Sequence, residues 1–340
     1  MKLHHFIETI TLSVLTTATA YGAPLEMNFQ SGWSARQTQN VEVVIPWTSS
    51  FAEKSGGDMI MHIFYTNGIV EQNSVPDAIK SGMLDAGLWS LQDHKKMPYT
   101  YLAGLPYLAK NQDHAYRVSQ KMMEEVPELK AEIDSVGVLV GSTVTPPYMM
   151  ASRDFPVKSP ADIKGRRVLC VVPTLAEYVE AWGGIPVMVS PGDIYIGLQR
   201  GMGEMILCGV SCIKGFRAHE VCRYSTDLGM ASFNIIPFSI NKDLFEKDMT
   251  EKQRELTREL SKNLGKDLMD SYRGELERIY KEFESAGCKV IRLSEDETGA
   301  FVEEARANIL PAYVRKAKDA GIDEPEKIVK RYQEIAAGID

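Results

Sequence analysis

The 340 residues are enough for about two domains, and 44% hydrophobic with 25% charged residues is the balance of an ordinary globular chain. A net charge of −8 has the wrong sign for a nucleic-acid partner. No apolar run reaches the roughly 20 residues that a membrane-spanning helix needs.

Lys2, His4 and His5 precede an apolar, Ser/Thr-rich run over residues 6–20, and Ala18-Thr19-Ala20 has the small-x-small form of a cleavage site. This predicts an export signal over residues 1–23, cut between Ala20 and Ala23, and a mature protein in the periplasm or outside the cell. The competing reading is a disordered leader, which Glu8 inside the apolar run favours.

Residues 25–31 alternate like a strand. Residues 41–54 pattern as a helix ended by Gly56-Gly57, and 59–65 as a second strand. Ser74 caps a helix over 74–80, with Pro76 in its first turn and Gly82 after it. Residues 84–90 are a third strand, 102–108 a loop, 113–125 a helix and 136–143 a strand. Pro146-Pro147 breaks the chain before it resumes at Tyr148.

Residues 163–209 read as strand, helix, strand, helix, strand: a parallel α/β unit whose ligand crevice lies at the carboxyl ends of its strands. Those ends are Val172-Pro173, Ser190-Pro191 and Cys208-Gly209, and Asp193 caps the second helix. Residues 78–86 (AIKSGMLDA) and 197–205 (GLQRGMGEM) echo one another: helix end, Gly turn, Met, then an acidic residue entering a strand. The echo suggests two lobes on one plan, with chance similarity as the alternative.

Residues 211–224 read as helical and 233–241 as a bent or edge strand, because of Pro237. Thr250 and Gln253 form a capping box ahead of a helix of about 36 residues, carrying Leu256, Leu260, Leu264, Leu268, Tyr272 and Phe283 on one stripe. At about 1.5 Å per residue it outruns one small lobe. A strand over 289–293, a helix over 295–320 and a last helix over 324–337 complete the chain.

Several pieces, in order, resemble the substrate-binding proteins of TRAP transporters. They are Gly56-Gly57-Asp58; residues 78–85; Leu105-Pro106-Tyr107-Leu108-Ala109; residues 159–165 (SPADIKG); Asp193-Ile194-Tyr195; Leu198-Gln199 with Gly201 and Glu204; and Asn241-Lys242-Asp243. The likeness spans about residues 25–287. It implies an α/β, two-lobe Venus-flytrap fold with hinge strands and a long lobe-spanning helix. It implies a monomer that closes on a small organic solute and delivers it to a cation-coupled membrane transporter, with no cofactor, no metal and no catalysis. The lobes expected are 24–149 with 234–265, and 150–233 with 275–320. Residues 266–274 belong to the bridging helix, and 321–340 form a C-terminal helix.

The resemblance also marks a departure. The family typically places an arginine on the strand after the Lys-Gly turn, where it forks onto a substrate carboxylate. Here that position is Val168 or Leu169, and Cys208 stands where an asparagine often faces the ligand. Arg166 and Arg167 precede the strand, at its far end from the crevice; Arg36 or Arg153 remain as other sources of positive charge. The expected ligand is therefore not the usual dicarboxylate but a less acidic or aromatic molecule. The candidate contacts are Trp33, Trp89, Ser90, Tyr107, Tyr148, Leu169, Cys170, Pro173, Thr174, Tyr195, Cys208 and Gly209. Each aromatic has core packing as its competing reading. Thr174 opens a helix whose amides receive an anion without arginine.

No Gly-x-Ser-x-Gly, Walker loop or His-Glu-x-x-His occurs. Five cysteines leave at least one without an internal partner, and buried free thiols are the expectation for each. Two alternatives keep the fold: a ligand-presenting protein for a sensor, and an enzyme with Cys208 or Cys170 as nucleophile.

Overall fold

The computed structural model describes residues 23–90, 93–229 and 233–339. The expected export signal lies outside them, Ala23 excepted. Eleven strands are present among the described residues: β1 Leu25–Ser31, β2 Met59–Tyr65, β3 Ala86–Leu88, β4 Val138–Val144, β5 Tyr148–Ser152, β6 Arg167–Cys170, β7 Ile185–Met188, β8 Met205–Gly209, β9 Tyr224–Asp227, β10 Ile235–Ile240 and β11 Lys289–Arg292. They form two sheets, ordered β2-β1-β3-β10-β4 and β11-β9-β5-β8-β6-β7. β1 runs parallel to β2 and β3, and β6 parallel to β7 and β8. Each sheet also takes one antiparallel strand: β10 between β3 and β4, β5 between β8 and β9.

Those two strands follow directly on the crossings between lobes. The chain passes from β4 to β5 through residues 145–147, and from β9 to β10 through 228–234. Pro146 and Pro147 have no N–H to give a ladder, so β4 cannot run on as one strand into β5. The crossings are tied side by side: the Thr145 N–H donates to the Asn234 carbonyl (3.1 Å), and the Asn234 N–H donates to the Thr145 hydroxyl (3.1 Å). The helix Leu264–Ser285 makes the third connection, packing on β4 of the first lobe and β11 of the second.

The internal echo has a physical counterpart. The helix Val75–Ser81 ends at Gly82 (φ 75°), and the helix Ile194–Gln199 is closed by Gly201 (φ 73°), a left-handed conformation that glycine adopts without strain. Asp85 then accepts the Asn28 N–H of β1 at 2.8 Å, and Glu204 accepts the Arg167 N–H of β6 at 3.2 Å. In both lobes the acidic residue entering one strand anchors its parallel neighbour.

Each sheet buries a core against its helices: Phe29, Trp47, Phe51 and Phe238 in the first lobe, Met149, Leu169, Ile194, Ile206 and Phe283 in the second. The largest cluster spans both lobes. Its centre is the helix Leu310–Asp319, where Tyr313 stacks on Tyr101 of the first lobe (4.5 Å) and Lys316 pairs with Glu177 of the second. This helix bridges the lobes, whereas the sequence expectation put it wholly with the second.

Other departures have local causes. The long helix is broken into Glu251–Ser261 and Leu264–Ser285, and Pro311 starts a new helix inside the expected one over 295–320. Residues 211–224 are not one helix: Val210–Gly215 is a short helix, and the polar run Tyr224–Asp227 is β9. The helix Pro127–Asp134 has no counterpart in the sequence reading. Ser74 and Asp193 stand at helix starts but their side chains make no capping bond, whereas the Thr250–Gln253 box is made on both sides. Among the described residues no helix is long and apolar enough to cross a membrane.

Candidate functional site

The carboxyl ends of β1 and β2 face the end of β8 across the gap between lobes, the position where α/β sheets bind ligands. A cavity of about 540 Å³ lies there. Ser34, Arg36 and Thr66 line it from the first lobe, Ser211 and Phe216 from the second, and Glu275 from the crossing helix. That volume suits a small molecule.

The first-lobe wall is a shaped loop. Fully buried Asn40 donates to the carbonyls of Trp33 (3.1 Å) and Ser34 (2.8 Å) and accepts from the Ser31 hydroxyl (2.8 Å). The amide end of Gln72 packs over Gly32, where a Cβ would lie 2.4 Å from it and would push that side chain aside. Glu275 ties the lobes together. It is buried, accepts from Thr38 (2.6 Å) and Gln39 of the first lobe, and accepts from Ser211 (3.4 Å) of the second. Lys214 on the second-lobe wall pairs with Glu282 at 3.0 Å. Arg36 is exposed and makes no ion pair or hydrogen bond among the described residues.

The residues expected from sequence divide into two groups. Trp33, Tyr107, Tyr148, Cys208 and Gly209 gather around the crossings. Trp33 meets Tyr272 of the crossing helix edge-on at 6.3 Å. Tyr107 has a left-handed backbone (φ 49°), rare outside glycine, and its buried hydroxyl has no hydrogen-bond partner among the described residues. Burial, with the charge of Asp227 across the lobes, pushes its phenol up. Burial also pushes Tyr148 up to about 12, opposed by a hydrogen bond with Thr145. Gly209 lies against Pro146.

The second group lies elsewhere in the two lobes. Trp89 is fully buried and donates its indole N–H to Ser239 at 3.1 Å. Leu169 and Cys170 are fully buried on opposite faces of β6. Tyr195 is half-buried beside Arg217 on the second lobe. Thr174 is mostly buried in the first turn of the helix that Pro173 opens, and Ser90 is half-buried after β3.

With this geometry in place, the relatives are informative. The model of bacterial extracellular solute-binding proteins, family 7, matches residues 29–316. The chain belongs to this family. A solute-binding protein of Albidiferax ferrireducens is 22% identical over 267 residues, 78% of each chain. A TRAP solute-binding protein from a marine metagenome, specific for aromatic acids and solved with 3-hydroxybenzoate, superposes with a TM-score of 0.80 at 15% identity, covering 94% of this chain and 100% of that one. One from Rhodoferax ferrireducens, solved with copurified benzoate, gives 0.76 at 16% identity, covering 92% and 98%. The two-lobe fold is thus that of TRAP solute-binding proteins. Members of this periplasmic family bind small organic solutes and work with a TRAP membrane transporter.

Both positions weighed for the family's arginine are taken up by packing. Val168 and Leu169 are both fully buried, and Leu169 lies against Gly197 and Gly203 inside the second lobe. Arg166 and Arg167 sit at the other end of β6, where Arg166 pairs with Glu204 (3.5 Å) and covers Phe155, and Arg167 donates to the Gly201 carbonyl (3.0 Å). Arg153 lies near the same Gly201, away from the cleft. Of the arginines weighed from sequence, only Arg36 lines the cavity. Sequence reasoning missed Thr66, Ser211, Phe216 and Glu275. Glu275 left a signal, a carboxylate in phase with the buried stripe Leu268, Tyr272 and Ile279.

The expectation of free thiols is corrected at Cys208. It is bonded to Cys212, four residues on, where β8 turns into the helix Val210–Gly215. Cys170 is on the neighbouring strand but faces the opposite side of the sheet. Among the described residues no three His, Cys, Asp or Glu are grouped to hold a metal ion.

Proposed function

We propose that the exported, monomeric chain captures a small organic acid with an aromatic or apolar body and presents it to a TRAP-type transporter. The observation that carries this is the interlobe cavity of about 540 Å³, walled by both lobes and floored by the carboxylate that ties them. The missing arginine on β6 argues against the paired-anion recognition of a dicarboxylate. The aromatic acids held by proteins of the same fold, 3-hydroxybenzoate and benzoate, support a ring-bearing ligand.

A thiol enzyme is disfavoured by the same site. Burial pushes the Cys170 thiol up to about 12, so it stays protonated, and Cys208 is in a disulfide. A third thiol, Cys222, has His219 and Glu220 just before it in the chain, but His219 stacks on Phe283 at 4.5 Å and Glu220 is taken by Arg217, so neither acts as its base.

Mass spectrometry of solute carried through native purification, followed by a thermal-shift screen, tests the reading. A true ligand at 100 times its dissociation constant adds roughly 2.7 kcal/mol of stability. An aromatic or apolar monoacid is the expected find; a copurified dicarboxylate would sink the ligand class.

A further inference from the structure

We propose that Arg36 is the carboxylate anchor of this cleft and Phe216 the platform for the ring of its ligand. The inference rests on the solute-binding reading and assigns its specificity to a place outside β6. Three observations carry it. First, among the cations lining the cavity, Lys214 is taken by Glu282, while Arg36 has no partner among the described residues. A guanidinium held without a carboxylate at a cleft wall is a fork awaiting one. Second, the backbone that carries it is fixed by the buried Asn40 amide and by the Gln37 N–H, which donates to the Ser34 carbonyl at 3.0 Å. Little backbone ordering is left for the bound state, which favours affinity. Third, Phe216 on the opposite wall is 37% exposed, the one aromatic among nine exposed large apolar side chains of the described residues, and it lines the same cavity. Closing the lobes over a ring buries it.

Glu275 is the one acidic group lining the cavity, and it does not oppose this. Its carboxylate is occupied by Thr38, Gln39 and Ser211. An incoming carboxylate therefore meets Arg36 as the uncommitted charge. The cavity offers one uncommitted cation, Arg36, and one open ring, Phe216, on the facing wall, where Lys214 is already paired; this selects a monoacid with a flat body over a diacid.

Binding of benzoate, benzamide, acetate and succinate to the full chain, by calorimetry and thermal shift, tests the assignment in wild type, Arg36→Gln, Arg36→Lys and Phe216→Ala. The wild type is expected to prefer benzoate to benzamide, and Arg36→Gln to lose about 10- to 100-fold for benzoate, the worth of a charged hydrogen bond, with benzamide unchanged. Arg36→Lys should keep part of that preference. Phe216→Ala should lose about 10-fold for benzoate and little for acetate. Arg36 is exposed, so unliganded melting temperatures should match and exclude misfolding. Equal benzoate affinity in wild type and Arg36→Gln would overturn the anchor, as would a wild type that binds no carboxylate. If succinate proves the better ligand and Arg36→Gln abolishes its binding, the anchor stands while the aromatic reading and the Phe216 platform fall.

Discussion

At the scale of the residue, what a side chain does here depends on which way a strand presents it. Leu169 is one of the two positions, with Val168, where the family's arginine is expected, and its side chain packs on Gly197 and Gly203 within the second-lobe core. A Cβ on Gly203 would come within 2.7 Å of it, so Leu169 is packed closely against that turn, and it is fully buried. Leu169→Arg should therefore not create an anion site. It should place an unpaired guanidinium among Ile194, Leu198 and Ile206, at a cost of about 3 kcal/mol or more. Urea unfolding reads that loss, and benzoate titration of the surviving folded fraction should show no gain in affinity. A stable variant that binds carboxylates more tightly would prove the strand's presentation wrong. Glu275 makes the converse point: it lies on a buried stripe, yet its three hydrogen bonds make it the polar link between lobes.

At the scale of the element, local chemistry decides where helices start and end. The Thr250 hydroxyl accepts the Gln253 N–H at 3.3 Å, and the Gln253 side chain accepts the Thr250 N–H at 2.9 Å. Thr250→Ala should cost about 1 kcal/mol with solute affinity unchanged, because the box is far along the chain from the cleft-lining Glu275. An unchanged urea midpoint would show that the cap contributes nothing. The same box was legible in the sequence because its partners are three residues apart. So were β1, whose bounds follow from alternation, β2, an apolar run between Gly56-Gly57 and Asn67-Gly68, and the Gly82 and Gly201 turns. Features set by tertiary pairing were not legible. β9 is four residues, Tyr-Ser-Thr-Asp, with no apolar period; it is a strand because β5 and β11 flank it. The cleft suffered likewise: Trp33 and Gly209 could be proposed because they follow or end strands, but the cavity is lined instead by residues such as Phe216 and Glu275, which come to it from segments far apart in the chain.

At the scale of the whole molecule, tyrosines join the lobes and set a limit in alkali. Tyr101, Tyr313 and Tyr332 lie in the core cluster shared by both lobes, with Tyr107 and Tyr148 beside the crossings. Burial raises every one of these phenols above its ordinary value near 10, and nearby Glu177 adds to the rise at Tyr101. The folded state thus holds these protons more tightly than the unfolded chain does. Their contribution is fully present below about pH 10 and is lost as pH rises through the folded values, about 12 for Tyr148. A rise from 10.0 to about 12 corresponds to roughly 3 kcal/mol for that one fully buried group. The others act in the same direction, so stability should fall steeply above pH 10. Tyrosinate absorbance should then climb in two steps: exposed phenols first, and buried ones only together with loss of the circular-dichroism signal. Because the shared cluster links both lobes, that second step should be one cooperative transition. Smooth titration of all 14 tyrosines in a still-folded protein would contradict the buried bridge between lobes.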